Sequence, residues 1–145
     1  MLKILPTIGW REWIHIKGIR SKPIKAKIDT GAKTSALHAQ NIEIEKIGKR
    51  TIVHFDVFAS HTSDRHKRVS ADMVEERWVK DTGGRRSLRP VILTQIKLGR
   101  FVWDIEVTLT SRNDMKHEFL LGRDAIKGRF LVNVARSFLL GKLEK

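Results

Sequence analysis

Apolar and polar residues alternate with a period of two in four separate stretches of this chain, which is the pattern of a half-buried β-strand. Pro23 to Ile28 sets Ile24, Ala26 and Ile28 against Lys25 and Lys27. Asn41 to Ile47 sets Ile42 and Ile44 against Glu43 and Glu45, and Thr51 to Phe58 puts Val53, Phe55 and Val57 on one face. Phe101 to Thr110 does the same with Phe101, Trp103, Ile105, Val107 and Leu109. Between the second and third stretches Gly48, Lys49 and Arg50 read as a hairpin turn.

Composition points to further strands. Trp10 to Ile16 is an aromatic and β-branched run. Val69 to Lys80 and Arg85 to Leu98 flank Asp81-Thr82-Gly83-Gly84, which predicts a long hairpin with a glycine tip. Pro90 makes the returning strand an edge or a bulge at that point. Gly99-Arg100 reads as a tight turn, Ala59 to Lys67 and Ser111 to His117 as loops, and Glu118 to Leu121 as a short strand. Asp124 to Gly128 has room for one short helix, and Arg129 to Val134 and Ser137 to Leu140 read as final strands. The total is eight or nine short strands at hairpin spacing with at most one or two short helices. That predicts an all-β fold, a small barrel or sandwich. The length of 145 residues predicts one domain over 1–145 with ample core.

Composition narrows the chemistry. Cysteine is absent, which excludes disulfides, thiolate zinc sites and a cysteine nucleophile. No apolar run approaches the ~20 residues of a membrane span, and the first six residues are not expected to act as a signal peptide. The expected location is therefore cytoplasmic, with no membrane partner. Lys and Arg number 29 against 16 Asp and Glu, a net charge of +13 that attracts anions or serves solubility. No nucleic-acid signature accompanies it, so polyanion binding of the weak, salt-dependent kind is the expectation there.

The sharpest motif is Ile28-Asp29-Thr30-Gly31-Ala32, an apolar strand ending in an acid, a hydroxyl and a glycine. The strand delivers a carboxylate to its end, and Gly31 permits close backbone approach or a positive φ. The second is Phe119-Leu120-Leu121-Gly122-Arg123-Asp124-Ala125-Ile126, where an apolar pair meets a glycine and then a short helix. Asp81-Thr82-Gly83 repeats the first motif, but Lys80, Arg85 and Arg86 flank it where a buried strand would be apolar, so it reads as turn chemistry.

In this order, with a glycine-tipped hairpin between them, the two motifs resemble those of the retropepsins, the single-domain homodimeric aspartic proteases typified by retroviral proteases. The resemblance runs from Pro23 to Phe130. It is closer to a bacterial retropepsin-like family named for ATP-dependent zinc proteases, through Lys27 to Ala39, Arg89-Pro90-Val91-Ile92 and Leu120-Leu121-Gly122-Arg123. It implies a closed acid-protease barrel and a metal-independent aspartic peptidase without a cofactor. Asp29 would be the catalytic carboxylate, facing its copy in a second chain. Thr30, Gly31 and Ala32 would form the active-site loop. The hairpin carrying Gly83 and Gly84 would be a flap, and Lys33, Arg85 and Arg123 would join these glycines in binding substrate.

Two carboxylates that close cannot both ionise easily, so an aspartic-protease pair shares one proton. Lys33 stands where retroviral enzymes carry an acid or amide, so Arg123 lacks their acidic partner, and Asp124 or another acid is the expected replacement. The basic surface suggests acidic peptides. Members of the bacterial family often accompany ligases that add glutamate tails, which makes glutamate-rich peptides a candidate substrate. The alternative is a retropepsin-fold module that binds an acidic peptide or protein without useful hydrolysis.

The zinc and ATP labels of that family have little support in the residues. His117-Glu118 opens like an H-E-x-x-H helix, but Leu121 stands in the fifth place, and no G-x-x-x-x-G-K-[ST] run exists. His61 and His66 read as loop histidines, and His38 as either a cleft residue or a structural one. Trp10, Trp13, Trp78 and Trp103 read as core or dimer packing rather than base stacking.

Overall fold

The computed structural model describes residues 4–81, 83–111 and 117–142. Thr82 of the hairpin tip and residues 112–116 of the loop expected over Ser111 to His117 lie outside the described residues. Among the described residues eleven strands and one helical turn succeed one another. They are β1 (Thr7–Gly9), β2 (Arg11–Ile16), β3 (Arg20–Asp29), β4 (Ser35–His38), β5 (Gln40–Ile47), β6 (Arg50–Phe58), β7 (His66–Lys80), β8 (Arg86–Leu98), β9 (Phe101–Thr110), β10 (Phe119–Gly122), α1 (Arg123–Ile126) and β11 (Leu131–Asn133).

Six strands in the order β2-β3-β10-β4-β9-β8 form a barrel, which closes where His15 and Ile16 of β2 pair with Lys97 and Ile96 of β8. Ile14, Ile24, Ala26, Leu37, Ile92, Ile96, Val107, Phe119 and Leu121 fill its interior. The alternation expected of Phe101 to Thr110 is present, with Trp103, Ile105, Val107 and Leu109 buried and Val102, Asp104 and Glu106 exposed. Beyond the barrel β7, β6 and β5 continue the sheet as an antiparallel meander. The edge strand β5 is mostly exposed, and Ile44 does not form the buried face its alternation predicted. Glu43, Glu45 and Lys46 give that edge the charge that discourages pairing with other chains.

Two features depart from a simple run of hairpins. The strand β4 escapes sequence reading because Ser35, Ala36, Leu37 and His38 are all buried, so no period of two marks it. The strand β10 arrives from far along the chain and inserts between β3 and β4, parallel to the first and antiparallel to the second. Pro90 sits where β8 pairs with β7 alone, one residue before its pairing with β9 begins, and a register shift in β7 lies immediately beyond.

The expected strand over Ser137 to Leu140 is not a strand. Its backbone amides turn instead to one buried side chain of β2: Glu12 accepts hydrogen bonds from Leu139 N, Leu140 N and Gly141 N at 2.7–3.0 Å, and from Gly9 N at 2.6 Å. A hydrophobic run cannot reveal such an arrangement, because the acceptor lies 127 residues earlier in the case of Leu139.

Candidate active site

The carboxylate of Asp29 owes its position to β3, whose residues Ile24, Ala26 and Ile28 are buried in the barrel. The register of β10 against β3 pairs Leu121 with Ile28 and Gly122 with Asp29. The two motifs singled out in the sequence are therefore neighbouring strand ends. Backbone bonds join the segments just beyond those ends: Arg123 N donates to Ala32 O at 2.7 Å and Asp124 N to Lys33 O at 3.0 Å. Gly122 N donates to Ser35 Oγ at 3.0 Å, and Thr108 Oγ1 donates to Ser35 O, so Ser35 ties three strands together below the loop.

The glycine that sterics demand is Gly122 rather than Gly31. A Cβ at Gly122 would lie 2.6 Å from the carbonyl carbon of Thr34 and 2.8 Å from Ser35 N, backbone that cannot move aside. Gly31 has no positive φ, and the atom nearest a Cβ there is Asp29 Oδ1 at 3.4 Å, an ordinary contact. The close approach expected of Gly31 thus belongs to its partner motif.

Asp29 is half-buried, and its Oδ1 accepts the Gly31 amide at 3.2 Å. It lines a cavity of about 350 Å³ with Gly31 and Ala32 on the loop and Ala36, Thr110 and Leu120 from β4, β9 and β10. The other wall is the β7–β8 hairpin, through Val79, Lys80, Asp81 and Arg89. A second cavity of about 480 Å³ continues past Lys33, Trp78 and Glu106. Trp78 is 59% exposed in the single chain, outside the core that its strand pattern allowed for it. The hairpin thus forms one wall of the cavity that Asp29 lines.

The other expected residues take varied positions. Thr30 and Lys33 are exposed on the loop. Arg123 Nη1 donates to Thr30 O at 3.0 Å, so its guanidinium braces the loop from outside. Asp124 does not replace the missing acid; it lies 3.5 Å from Lys33 Nζ in an exposed pair that contributes little. Gly83, Gly84 and Arg85 form the hairpin turn, where Asp81 Oδ1 accepts the Gly83 and Arg85 amides at 2.9 Å. None of these three lines either cavity. The cations that do line the Asp29 cavity are Lys80 and the buried Arg89. Arg89 lies in a stretch the sequence singled out, but as a candidate ligand-binding residue it had no signal, since an arginine inside a hairpin strand reads as solvated.

The histidines pack against rings. His61 meets Trp13 edge-on at 4.8 Å, His66 lies 4.8 Å from Phe58, and His38 stacks on Phe58 at 6.0 Å. Among the described residues no three His, Asp or Glu side chains converge as metal ligands would.

Burial holds the His38 imidazole below its ordinary value near 6.5; Glu118 opposes this shift and His66 adds to it. The unfolded chain therefore takes up this proton first as pH falls. The stability His38 contributes is complete above pH ~6.5 and is lost as pH drops through the depressed folded value. Wild-type Tm is expected to fall more steeply between pH 7 and 5 than that of His38→Gln. Parallel curves would remove His38 as the titrating group.

Residues 7–142 match the RimB-like family, described as retropepsin-like aspartic endopeptidase RimB. A crystal structure of a Legionella pneumophila protein of unknown function superimposes with a TM-score of 0.76 at 31% identity, over 93% of this chain and 98% of that one. Two curated relatives are named probable alpha-L-glutamate ligase. The one from Desulfotalea psychrophila is 36% identical over 139 residues, and the one from Parasynechococcus marenigrum is 39% identical over 140. Each alignment takes in 95% of this chain, and the chain spans about 30% of the length of these relatives. No helix among the described residues is long and apolar enough to cross a membrane. With a barrel that sets the Asp29 and Gly122 motifs side by side, and a match over nearly its whole length, the chain belongs to the RimB-like family of retropepsin-like aspartic endopeptidases.

Proposed function

We propose that the protein is an aspartic endopeptidase that works as a homodimer, with one Asp29 from each chain. The observation that carries this reading is the carboxylate of Asp29, held at a strand end by the Gly122 register and opening on a cavity walled by the hairpin. One chain brings one such carboxylate on the loop. A twofold axis supplies its copy, because a C2 interface is self-complementary.

In the pair, the ionised carboxylate takes a proton from water as its oxygen attacks the peptide carbonyl carbon, and the protonated one gives its proton to the carbonyl oxygen. Collapse of the tetrahedral species breaks the C–N bond. The amine leaves with the proton first taken from water, and the hydroxyl proton returns to the dyad.

Acidic, glutamate-rich peptides are the substrates we assign. Lys80 and Arg89 line the cavity beside Asp29, and the chain carries 29 basic residues. Relatives bearing a glutamate-ligase name make glutamate tails the first peptides to try.

The test is cleavage of glutamate-rich and neutral peptides from pH 4 to 8, with and without a chelator, and with Asp29→Asn as the blank. Cleavage indifferent to chelator and lacking in the blank supports the reading. Cleavage that survives in the blank, or that chelator abolishes, overturns it. Lys80→Glu is expected to lower kcat/KM on glutamate-rich peptides about tenfold while changing neutral peptides less than twofold, since charge reversal alters a close electrostatic contact by roughly this much. Equal losses on both would refute the acidic preference.

A further inference from the structure

A cavity of about 580 Å³ lies away from Asp29. It opens at the seam where β2 and β8 close the barrel, and Arg20 at the start of β3 borders it. Asp29 ends the same strand, which is ten residues long, so the contour between them is roughly 30 Å.

Its charge is one-sided. Lys17, Lys67 and Lys97 border it, together with His15, and among the described residues no Asp or Glu does. His15 and Lys97 are direct cross-strand partners, a placement that is unfavourable whenever both carry charge and that an anion would relieve. Lys17 is fixed in place by its backbone: its amide donates to Gln95 O at 3.0 Å and its carbonyl accepts from Thr94 Oγ1 at 3.3 Å. Ser21 and Gln95 add neutral donors to the same wall.

The donor geometry selects among anions. Among the described residues Arg20 is the one arginine at this cavity, and it is already committed to Glu118 and to the carbonyls of Lys22, Phe58 and Pro23. Planar two-point recognition of a carboxylate is therefore not on offer. Three lysines act as point charges with rotatable donors, which suit the several oxygens of a phosphate. The volume lies within the range of small-molecule sites and exceeds what one phosphate fills, and Ile96 and Val102 give part of the wall an apolar character.

We infer that this cavity is a second, anion-binding site that takes a small molecule bearing two or more linked phosphate groups. Inorganic tripolyphosphate is the probe, titrated into the full chain by calorimetry at about 150 mM salt. Saturable binding is expected. The Lys17→Ala, Lys67→Ala, Lys97→Ala triple variant should weaken it at least about tenfold, because three cationic contacts to the anion are removed together. The Lys46→Ala, Lys49→Ala, Lys142→Ala triple removes the same charge elsewhere and should change it less than twofold. Chemical-shift changes in the wild type should centre on the amides of Gly18 and Ser21, a readout that needs no variant. Equal weakening by both triples, no saturable binding, or tighter binding of hexaglutamate than of tripolyphosphate at these amides would overturn the assignment. No peptidase activity enters the measurement, so it stands or falls separately from the endopeptidase reading.

Discussion

Asp29→Asn chains are expected to lack measurable peptidase activity, a loss of roughly a thousandfold or more, and to poison the wild type when the two are mixed. The first part rests on chemistry. An amide neither takes a proton from water nor holds one for the carbonyl oxygen, and removing a group that performs proton transfer typically costs between a hundredfold and ten-thousandfold. The second part rests on symmetry. If subunits exchange at random in a tenfold excess of the variant, about one wild-type chain in eleven finds a wild-type partner. Activity per wild-type chain should then fall about tenfold, because a dimer with one carboxylate lacks the shared proton. Both chains should melt together, since the Asp29 side chain accepts the nearby Gly31 amide while the loop is held elsewhere by Arg123 and Ser35. Activity that tracks the wild-type concentration regardless of the excess would show that one chain suffices and sink the dimeric mechanism.

That prediction rests on a site whose two halves were both legible in the sequence, though their adjacency was not. Asp29 ends an alternating strand and Gly122 precedes a helical turn, and both patterns are local. The parallel pairing of β10 with β3 is non-local and leaves no trace in either pattern. The fold class was legible for the same reason: a period of two in β3, β6 and β9 reports one buried face whatever the partner strand is. It failed at β4, where both faces are covered; β5 is the strand its alternation predicts, but Ile44 on its apolar face is exposed. The cavity wall was the least legible part. Lys80 and Arg89 belong to a strand pair whose tip looked more cationic at Arg85 and Arg86, and which of these residues line the Asp29 cavity depends on non-local packing of the hairpin. Arg86 lies over the Trp78 ring at 5.5 Å instead. The two D-T-G segments make the point most directly. Each has its aspartate Oδ1 bonded to the amide of its glycine, so the local turn is shared, and what separates them is the strand before and the loop after.

The second large effect is expected far from the catalytic loop, at Glu12. Its side chain is fully buried, and its two oxygens accept four backbone amides, from Gly9, Leu139, Leu140 and Gly141. A carboxylate is suited to this because it is acceptor-only and its bonds to N–H groups are charge-assisted. Replacement by alanine leaves those amides to find water or go unpaired, at about 1 kcal/mol or more each. The strap from Arg136 to Gly141 is otherwise held to β2 and its surroundings by Trp10 N to Arg136 O, Phe138 N to Arg11 O and Trp13 N to Gly141 O. A loss of about 4 kcal/mol is therefore expected, which for a chain of this size lowers Tm by roughly 10 °C. Glu12→Gln separates packing from hydrogen bonding. It has the same shape but turns one acceptor oxygen into a donor that faces two amide protons, so it should destabilise by more than half as much as alanine. The effect should also reach the site, because Trp10 O accepts the Ile28 amide at 2.8 Å, one residue before Asp29. Protease cleavage near residues 136–141 should accelerate in both variants before the barrel melts. A Tm within 3 °C of wild type for Glu12→Ala, or a glutamine variant as stable as wild type, would show that the strap is held by its backbone pairing alone.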